Sequence, residues 1–323
     1  VTIQKAAEKV FDASRTTYAE GCPVIGNDVE LIGFTETTPK KYSEEELAAM
    51  EQSALQAAKE ADLVVMPMGE HYLQSGAMID VPEIQMELFH KVLAVNPNVV
   101  VVLFNGRPLD LREISAKAKA ILEVWFPGTE GGSAVVDVLT GKKNPSGKLP
   151  MSFPYCVGQA PVSYNEYSTG RPNLPGMKER FRSKYLDIPN APLYPFGYGL
   201  TYGKTEVTKA EMRDDGEHYT ITATVKNEGC AVHEILQVYV RDNESEFAVR
   251  NHSLCAFKAV SLGANEMCDV EITVPKAALE IVDDTGTRRV DSRSFTFFVG
   301  TSQPDDRSAE LLGTRPVAVE LKL

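Results

Sequence analysis

The sequence predicts an α/β domain with a doubly wound, largely parallel sheet, followed by an all-β sandwich. Three observations support this fold class. Apolar patterns of helical and strand type alternate between Ser43 and Gly141. A segment rich in proline, tyrosine and glycine follows, from Lys142 to Gly203. After about residue 205 the hydrophobic pattern changes to a period of two, which is typical of strands with one buried face.

The helices of the first part are predicted from capping signals and apolar spacing. Ser43 and Glu46 have the spacing of a capping box, and apolar or small residues follow every three or four positions. A second helix is predicted from Glu83 to Val95, because Asn96-Pro-Asn98 ends the pattern. Two further helices are predicted over Leu109–Lys119 and Gly132–Leu139.

Short apolar runs without alternation lie between these helices. Such runs are typical of parallel strands that are buried on both faces. Pro67 indicates that the first of them ends there or lies at an edge of the sheet. The predicted strands are Leu63–Met68, Val99–Phe104 and Ala120–Trp125, with an earlier strand at Val29–Phe34. Helices alternating with strands at this spacing predict a parallel sheet covered on both faces.

The last part of the chain contains short alternating segments separated by polar turns. These segments are Tyr219–Val225, Leu236–Val240, Phe257–Leu262, Val270–Val274 and Ser294–Val299. They predict a β-sandwich of the immunoglobulin or fibronectin type III kind. We therefore divide the chain into an α/β domain at 1–154, a Pro/Tyr/Gly-rich connector at 155–204 and the sandwich at 205–323.

Composition excludes several classes of function. The chain has 33 Lys and Arg against 45 Asp and Glu, a formal net charge of −12, which argues against nucleic-acid binding. Its apolar stretches are far shorter than the roughly 20 residues of a membrane-spanning helix. Five scattered cysteines favour free thiols over a disulfide framework or a structural zinc site. We expect a soluble protein, cytoplasmic or periplasmic if bacterial, because Val1–Lys5 does not resemble a signal peptide.

Motifs for cofactors and metals are not found in the sequence. The segment from Gly141 to Lys148 resembles a phosphate loop, but five residues separate its glycines and Leu149 follows the lysine. No G-x-G-x-x-G follows a strand, the five histidines are isolated, and no G-x-S-x-G is present. We therefore expect neither a cofactor nor a bound metal.

Polar and aromatic residues follow each of the three predicted strands. Because ligands of doubly wound sheets bind outside the carboxyl ends of the strands, these residues form the candidate site. They supply a carboxylate, an imidazole, a phenol, a guanidinium and the single tryptophan. This set suits a neutral, polyhydroxylated ligand. The candidate residues are Glu70, His71 and Tyr72 after the first strand, Asn105 and Arg107 after the second, and Trp125 after the third.

Several of these residues also have a structural interpretation. Trp125 lies at the end of a buried strand. A tryptophan in such a position is more often a core residue than a platform on which a sugar ring packs. Asn105 and Arg107 are also suited to fixing a turn before a helix. Glu130, in a glycine-rich turn, is expected to interact with the amides of the next helix. Glu70 is the best functional candidate, because it opens a long irregular loop.

Three long motifs resemble one enzyme family. They are Trp125-Phe-Pro-Gly-Thr-Glu-Gly-Gly132, the segment Asn144–Pro154, and Pro192-Leu-Tyr-Pro-Phe-Gly-Tyr-Gly-Leu-Thr-Tyr202. In this order and spacing they are similar to the C-terminal half of glycoside hydrolase family 3, which contains β-glucosidases and β-xylosidases. In that family a (β/α)8 barrel comes first, then an α/β sandwich, and often a fibronectin type III-like domain. The resemblance implies the last two domains here.

The resemblance also implies a mechanism. An Asp on the barrel attacks the anomeric carbon of a terminal β-glycoside, and a Glu of the α/β domain protonates the leaving oxygen. Glu70 matches the family's loop glutamate, so we assign it as the candidate acid/base. The usual Glu after Gly76 is replaced by Ala77, and the stretch before Pro82 is about five residues shorter than in the family. The expected substrate is an oligosaccharide or an aryl β-glycoside, with glucoside and xyloside both open.

These implications lead to expectations for the whole molecule. The 323 residues leave no room for the barrel, so we expect a C-terminal fragment that packs on a barrel of the full-length protein and is inactive alone. A homo-oligomer is possible. A non-catalytic carbohydrate-binding or scaffold module is the first alternative. A small-molecule-binding α/β receptor of flavodoxin-like topology is the second.

Overall fold

A computed structural model describes residues 1–27, 40–71, 76–173 and 176–323. These residues form two compact units. The first comprises Val1–Lys143 with Pro154–Ala160, and the second comprises Asn144–Phe153 with Pro161–Leu323. The domain boundaries drawn from the sequence stay a prediction, and the strand predicted at Val29–Phe34 lies outside the described residues. None of the helices in the described residues has the length and apolar character needed to cross a membrane.

The first unit is an α/β structure. Its helices are α1 (Ile3–Val10), α2 (Glu44–Glu60), α3 (Glu83–Val95), α4 (Arg112–Lys117) and α5 (Gly131–Leu139). Its strands are β1 (Val64–Gly69), β2 (Val99–Phe104) and β3 (Ala120–Glu123). Among the described residues they form a parallel sheet in the order β1-β2-β3. The predicted α/β class is therefore confirmed for this unit.

Local signals explain the best-defined elements of this unit. The Ser43 hydroxyl accepts from the Glu46 amide, and the Glu46 carboxylate accepts from the Ser43 amide, so the predicted capping box forms. Five of the six residues of β2 are buried, as expected for the central strand of a parallel sheet. Pro67 lies in β1, which pairs only with β2 in the described residues. A proline is tolerated there because an edge strand has unpaired positions.

Two predicted elements are shorter in the structure. The helix predicted from Leu109 begins only at Arg112, because Leu109 and Leu111 are buried in the non-helical segment before it. The strand predicted to reach Trp125 ends at Glu123, because Trp125 has a φ of 50°, outside the range of a strand.

The second unit is an antiparallel β-sandwich, which confirms the predicted all-β part of the fold. Its main strands are β4 (Lys204–Asp214), β5 (His218–Glu228), β6 (Val232–Asp242), β7 (Ser253–Leu262), β8 (Met267–Pro275), β11 (Ser294–Gly300) and β12 (Val317–Lys322). They form sheets in the orders β4-β5-β8 and β12-β11-β6-β7. A short hairpin, β9 (Ile281–Val282) with β10 (Arg288–Arg289), and a helix, α6 (Asp306–Leu312), complete the unit.

The core of the sandwich is formed by alternate residues of both sheets, including Ile221, Leu236 and Phe297, which are fully buried. The sequence pattern had not predicted β4. A bulge between Val207 and Lys209 shifts the register of this strand. The apolar alternation therefore changes phase within β4, which hides its period of two.

Candidate functional site

The carboxyl ends of the three strands of the first unit lie side by side. Gly69 at the end of β1 is opposite Phe104 at the end of β2, and the Glu70 amide donates to the Phe104 carbonyl at 2.9 Å. Leu103 is likewise opposite Glu123 at the end of β3. The residues that follow these strands therefore meet at one edge of the sheet, as the sequence predicted.

A buried ion pair joins two of the candidate residues. Arg107 Nη2 donates to Glu70 Oε1 at 2.7 Å, and Arg107 Nε donates to Oε1 at 3.1 Å and to Oε2 at 3.4 Å. The Glu70 side chain is 2% exposed, whereas that of Arg107 is 27% exposed. A fork-shaped guanidinium against a carboxylate is the strongest common ion-pair geometry. The pair therefore has a buried acidic member and an accessible basic member.

The short stretch after Gly76 crosses the Arg107 guanidinium. Arg107 Nη1 donates to the Gly76 carbonyl, and Nη2 donates to the Met78 carbonyl at 2.7 Å. The Ile79 carbonyl then accepts from the Asp110 amide at 2.8 Å. Four of the five N–H groups of the guanidinium thus have partners among the described residues. Arg107 is held in one orientation from two sides.

This geometry bears on the role of Glu70. Both carboxylate oxygens accept hydrogen bonds from Arg107, and the side chain is almost completely buried. A general acid carries a proton and reaches the leaving oxygen. In the observed arrangement the Glu70 carboxylate is engaged by Arg107, which it orients. The acid/base assignment from the sequence stays a prediction.

Gly69 allows the backbone of β1 to approach β2 at this edge. Its φ is +142°, and a Cβ at this position would lie 1.7 Å from the Phe104 carbonyl oxygen. No other residue type avoids this overlap. Gly69 also binds Gln85 of α3: its amide donates to Gln85 Oε1 at 2.8 Å, and its carbonyl accepts from Gln85 Nε2 at 2.8 Å. The backbone next to Glu70 is therefore held in place by Gly69 and Gln85, independently of the Glu70 side chain.

Asn105 is fully buried and stabilises the turn after β2. Its Nδ2 donates to the Arg107 carbonyl at 2.8 Å, which matches the structural interpretation of this residue. Among the described residues, no donor reaches its Oδ1. In the described part of the chain, Asn105 Oδ1 is therefore a buried acceptor without a donor at the sheet edge.

Sequence reasoning missed Glu123, the last residue of β3. Its Oε1 accepts from the Trp125 amide at 2.8 Å, and its Oε2 is buried without a hydrogen-bond donor in the described part of the chain. Burial raises the pKa of Glu123 to about 7, although hydrogen bonds from the Trp125 amide and the Asn105 side chain lower it. A carboxylate ending an apolar strand was the signal that could have identified it.

Two aromatic residues occupy the turn after β3. Trp125 is half-buried and has a left-handed backbone, with a φ of 50°, which costs about 1 kcal/mol or more for a residue other than glycine. Phe126 is 55% exposed. Its ring lies against the backbone of Gly106, where a Cβ would be 2.8 Å from the ring. Phe126 is therefore an exposed ring against the turn that carries Arg107, and the sequence analysis had not selected it.

The remaining candidates are placed differently. His71 follows Glu70 and is half-buried. Tyr72 lies outside the described residues. The expectation that Glu130 interacts with the helix amides is wrong, because its side chain makes no capping bond and accepts instead from the Ser133 hydroxyl at 3.0 Å. In the described ranges, no group of three or more His, Cys, Asp or Glu side chains could hold a metal ion.

Two family models match the chain. The glycosyl hydrolase family 3 C-terminal domain matches residues 2–202, and a fibronectin type III-like domain matches residues 234–303. The first match covers more than half of the chain and includes all the candidate residues.

Curated proteins and solved structures show the same relationship. The chain is 37% identical to a periplasmic beta-glucosidase of Salmonella typhimurium over 90% of this chain and 40% of that protein. It is 32% identical to a beta-xylosidase of Formosa agariphila over 93% of this chain and 39% of that protein. A mutant beta-glucosidase of Listeria innocua in complex with laminaribiose is 36% identical, with a TM-score of 0.76 over 89% of this chain and 39% of that chain.

A beta-glucosidase of Erythrobacter marinus superposes over 99% of this chain and 42% of that chain, with a TM-score of 0.81 at 25% identity. The chain thus spans about two fifths of the length of the Salmonella and Formosa proteins. Its first part matches the C-terminal domain of one enzyme family, and its last part matches the accessory domain. The chain therefore belongs to glycosyl hydrolase family 3 and carries the family's C-terminal domain followed by a fibronectin type III-like domain.

Proposed function

We propose that this chain forms part of a retaining β-glycosidase of the β-glucosidase type, which hydrolyses terminal non-reducing β-D-glycosyl residues. The nucleophile of this enzyme is an Asp on a (β/α)8 barrel outside the chain, and the α/β unit packs on that barrel. Two relatives, a periplasmic beta-glucosidase and a beta-glucosidase in complex with laminaribiose, support this substrate class.

The observation that carries the proposal is the Arg107–Glu70 pair at the sheet edge. Arg107 is accessible, and Glu70 neutralises it from the buried side. A neutral pair attracts an anionic ligand only weakly. The one Arg107 N–H that has no acceptor in the described ranges can still donate a charge-assisted hydrogen bond to a hydroxyl. The pair therefore suits an uncharged sugar better than a phosphate or a carboxylate.

Several residues at this edge then have a role. Arg107 donates to a sugar hydroxyl, and Glu70 is the positioning residue that orients it. The exposed ring of Phe126, with Trp125 beside it in the chain, packs on the apolar face of the sugar. Asn105 holds the turn that carries Arg107. Because the sugar that Arg107 and Phe126 contact is the one that the barrel Asp attacks, this edge faces the mouth of the barrel.

The chain alone is expected not to hydrolyse 4-nitrophenyl β-D-glucoside, because its mechanism requires a nucleophile from the barrel. Release of 4-nitrophenol is measured for the purified chain and for the full-length gene product. We expect release only from the second. Turnover by the purified chain that is lost in Glu70→Gln would overturn the assignment of the nucleophile to the barrel.

A second measurement separates the two roles of Glu70. In the full-length protein, loss of a general acid slows substrates with poor leaving groups far more than activated aryl glycosides. Loss of a positioning residue slows all of them by a similar factor. We expect Glu70→Gln to give the second pattern. A loss confined to poor leaving groups would instead assign Glu70 as the acid.

A further inference from the structure

The side-chain amide of Gln85 makes three hydrogen bonds to backbone atoms beside the candidate site. Its Oε1 accepts from the Gly69 amide at 2.8 Å, and its Nε2 donates to the Gly69 carbonyl at 2.8 Å. Nε2 also donates to the Val24 carbonyl at 2.6 Å. Gln85 is 5% exposed, so water does not complete these contacts. A flipped amide would place a donor against the Gly69 amide and an acceptor against two carbonyls, so only one orientation fits.

The peptide group between Gly69 and Glu70 is held from two sides. Its carbonyl, on Gly69, accepts from Gln85, and its N–H, on Glu70, donates to the Phe104 carbonyl at 2.9 Å. Gly69 has a φ of +142° and no Cβ, so its own backbone offers little resistance to rotation. The bonds from Gln85 therefore help to fix the peptide that carries Glu70.

The position of this peptide determines where the Glu70 carboxylate lies. Glu70 Oε1 is 2.7 Å from Arg107 Nη2, and the Glu70 side chain is 2% exposed. Rotation of the peptide would move the Glu70 Cα and, with it, the carboxylate. A fork-shaped, charge-assisted pair depends on both its distances and its angles. A change at Gln85 is therefore transmitted to Arg107 through the peptide and the carboxylate.

We propose that Gln85 is a positioning residue for sugar binding by Arg107. It fixes the peptide between Gly69 and Glu70, and the Glu70 carboxylate in turn orients the guanidinium. Gln85 also ties the Val24 carbonyl to the same point. The contribution of Arg107 to sugar binding rests on the proposed function, whereas the effect of Gln85 on the orientation of Arg107 does not. The two proposals can therefore fail separately.

Asn96, at the C-terminal end of the same helix, provides a matched control. Its Nδ2 donates to the Ala58 and Ala61 carbonyls at 2.9 and 2.7 Å, and its Oδ1 accepts from the Asn98 amide at 2.8 Å. It is 6% exposed, close to the value for Gln85. The two amides thus make the same number and kinds of hydrogen bonds to backbone. Asn98 directly precedes β2, so Asn96 lies at the opposite end of the sheet from the candidate site.

Exchange of the amide for a carboxyl group makes the contact depend on pH. In Gln85→Glu the protonated carboxyl group still accepts from the Gly69 amide and donates to the Gly69 carbonyl. The ionised form has no donor and places a negative charge against the Gly69 and Val24 carbonyls. Because burial raises the pKa of a carboxyl group, we expect the variant to resemble the wild type at about pH 5 and to lose the contact at about pH 8. Asn96→Asp makes the same exchange at the other end of the sheet.

The first measurement is the NMR signal of the Arg107 Nε–H in the isotope-labelled native chain, identified by its absence in Arg107→Lys. This N–H donates to the Glu70 carboxylate, so its signal reports on the pair without any sugar. We expect Gln85→Glu to shift or broaden the signal at the higher pH only, and Asn96→Asp to leave it as in the wild type at both values. Circular dichroism verifies that each variant is folded. A signal in Gln85→Glu that matches the wild type at both values would overturn the proposal.

The second measurement is kcat/KM for 4-nitrophenyl β-D-glucoside in the full-length protein, expressed as the ratio of variant to wild type at each pH. We expect the ratio for Gln85→Glu to fall about tenfold or more between the lower and the higher pH, because small displacements of a binding group have large effects on rate. The ratio for Asn96→Asp is expected to stay constant. Equal changes in the two ratios would overturn the positioning role. If the wild type is inactive, the proposed function fails, and the Arg107 signal still decides whether Gln85 orients Arg107.

Discussion

Arg107→Ala is expected to lower the free energy of unfolding of the first unit by about 3–5 kcal/mol, because it leaves a buried carboxylate without its cation. The Glu70 side chain is 2% exposed, so its carboxylate is largely removed from water in the folded chain. Arg107 also ties down the Gly76 and Met78 carbonyls, and these contacts are lost with it. Urea unfolding followed by Trp125 emission measures the effect, since this tryptophan lies in the first unit.

Two variants control this experiment. Arg112→Ala removes a comparable ion pair, with Nη2 2.6 Å from Asp110 Oδ2, but Arg112 is 48% exposed. Its loss is expected to cost about 1 kcal/mol or less. Adding Glu70→Gln to Arg107→Ala removes the unpaired charge and is expected to restore part of the stability. A loss in Arg107→Ala no larger than in Arg112→Ala would contradict the buried-pair account.

Gly69→Ala is expected to prevent the native packing of β1 against β2. The added Cβ would lie 1.7 Å from the Phe104 carbonyl oxygen and 2.6 Å from its carbon, and the φ of +142° is unfavourable for alanine. The overlap is with backbone, so no side-chain rearrangement relieves it. We expect a loss of more than about 3 kcal/mol, or no folded first unit, in the same urea experiment.

Gly128→Ala is the matched control for this glycine. Gly128 lies in the turn after Trp125, and apart from its chain neighbours no heavy atom of the described residues lies within 4 Å of its added Cβ. Its effect on stability is expected to stay within about 1 kcal/mol. If Gly69→Ala unfolded at the same urea concentration as Gly128→Ala, the close approach of the two strands would be wrong.

The sequence predicted those parts of the fold that have strong local signals. The helix over Glu83–Val95 has the predicted bounds, and β2 has those predicted for Val99–Phe104, because periodicity and flanking residues determine both. Leu109 and Leu111 misled the helix prediction, since tertiary burial rather than helical periodicity explains their apolar character. Such tertiary effects leave no local pattern to read.

The candidate site was likewise predicted where local signals exist and missed where tertiary contacts decide. The positions of Glu70 and Arg107 followed from strand order, since parallel strands end at one edge. Their pairing, across 37 residues, depends on side-chain geometry that spacing does not encode. The raised pKa of Glu123 depends on its burial at the end of β3. Both are properties of the folded chain alone.

Arg107, held by Glu70, is the proposed donor to the sugar in a family 3 glycosidase. The most direct test is kcat/KM for 4-nitrophenyl β-D-glucoside in the full-length protein, compared between Arg107→Lys and Arg112→Lys. Lysine keeps the charge opposite each carboxylate but lacks the planar fork. We expect Arg107→Lys to lower kcat/KM about 10- to 100-fold, equivalent to one charge-assisted hydrogen bond of about 1.5–3 kcal/mol, and Arg112→Lys to leave it unchanged. Equal kcat/KM values in the two variants would show that Arg107 does not donate to the sugar.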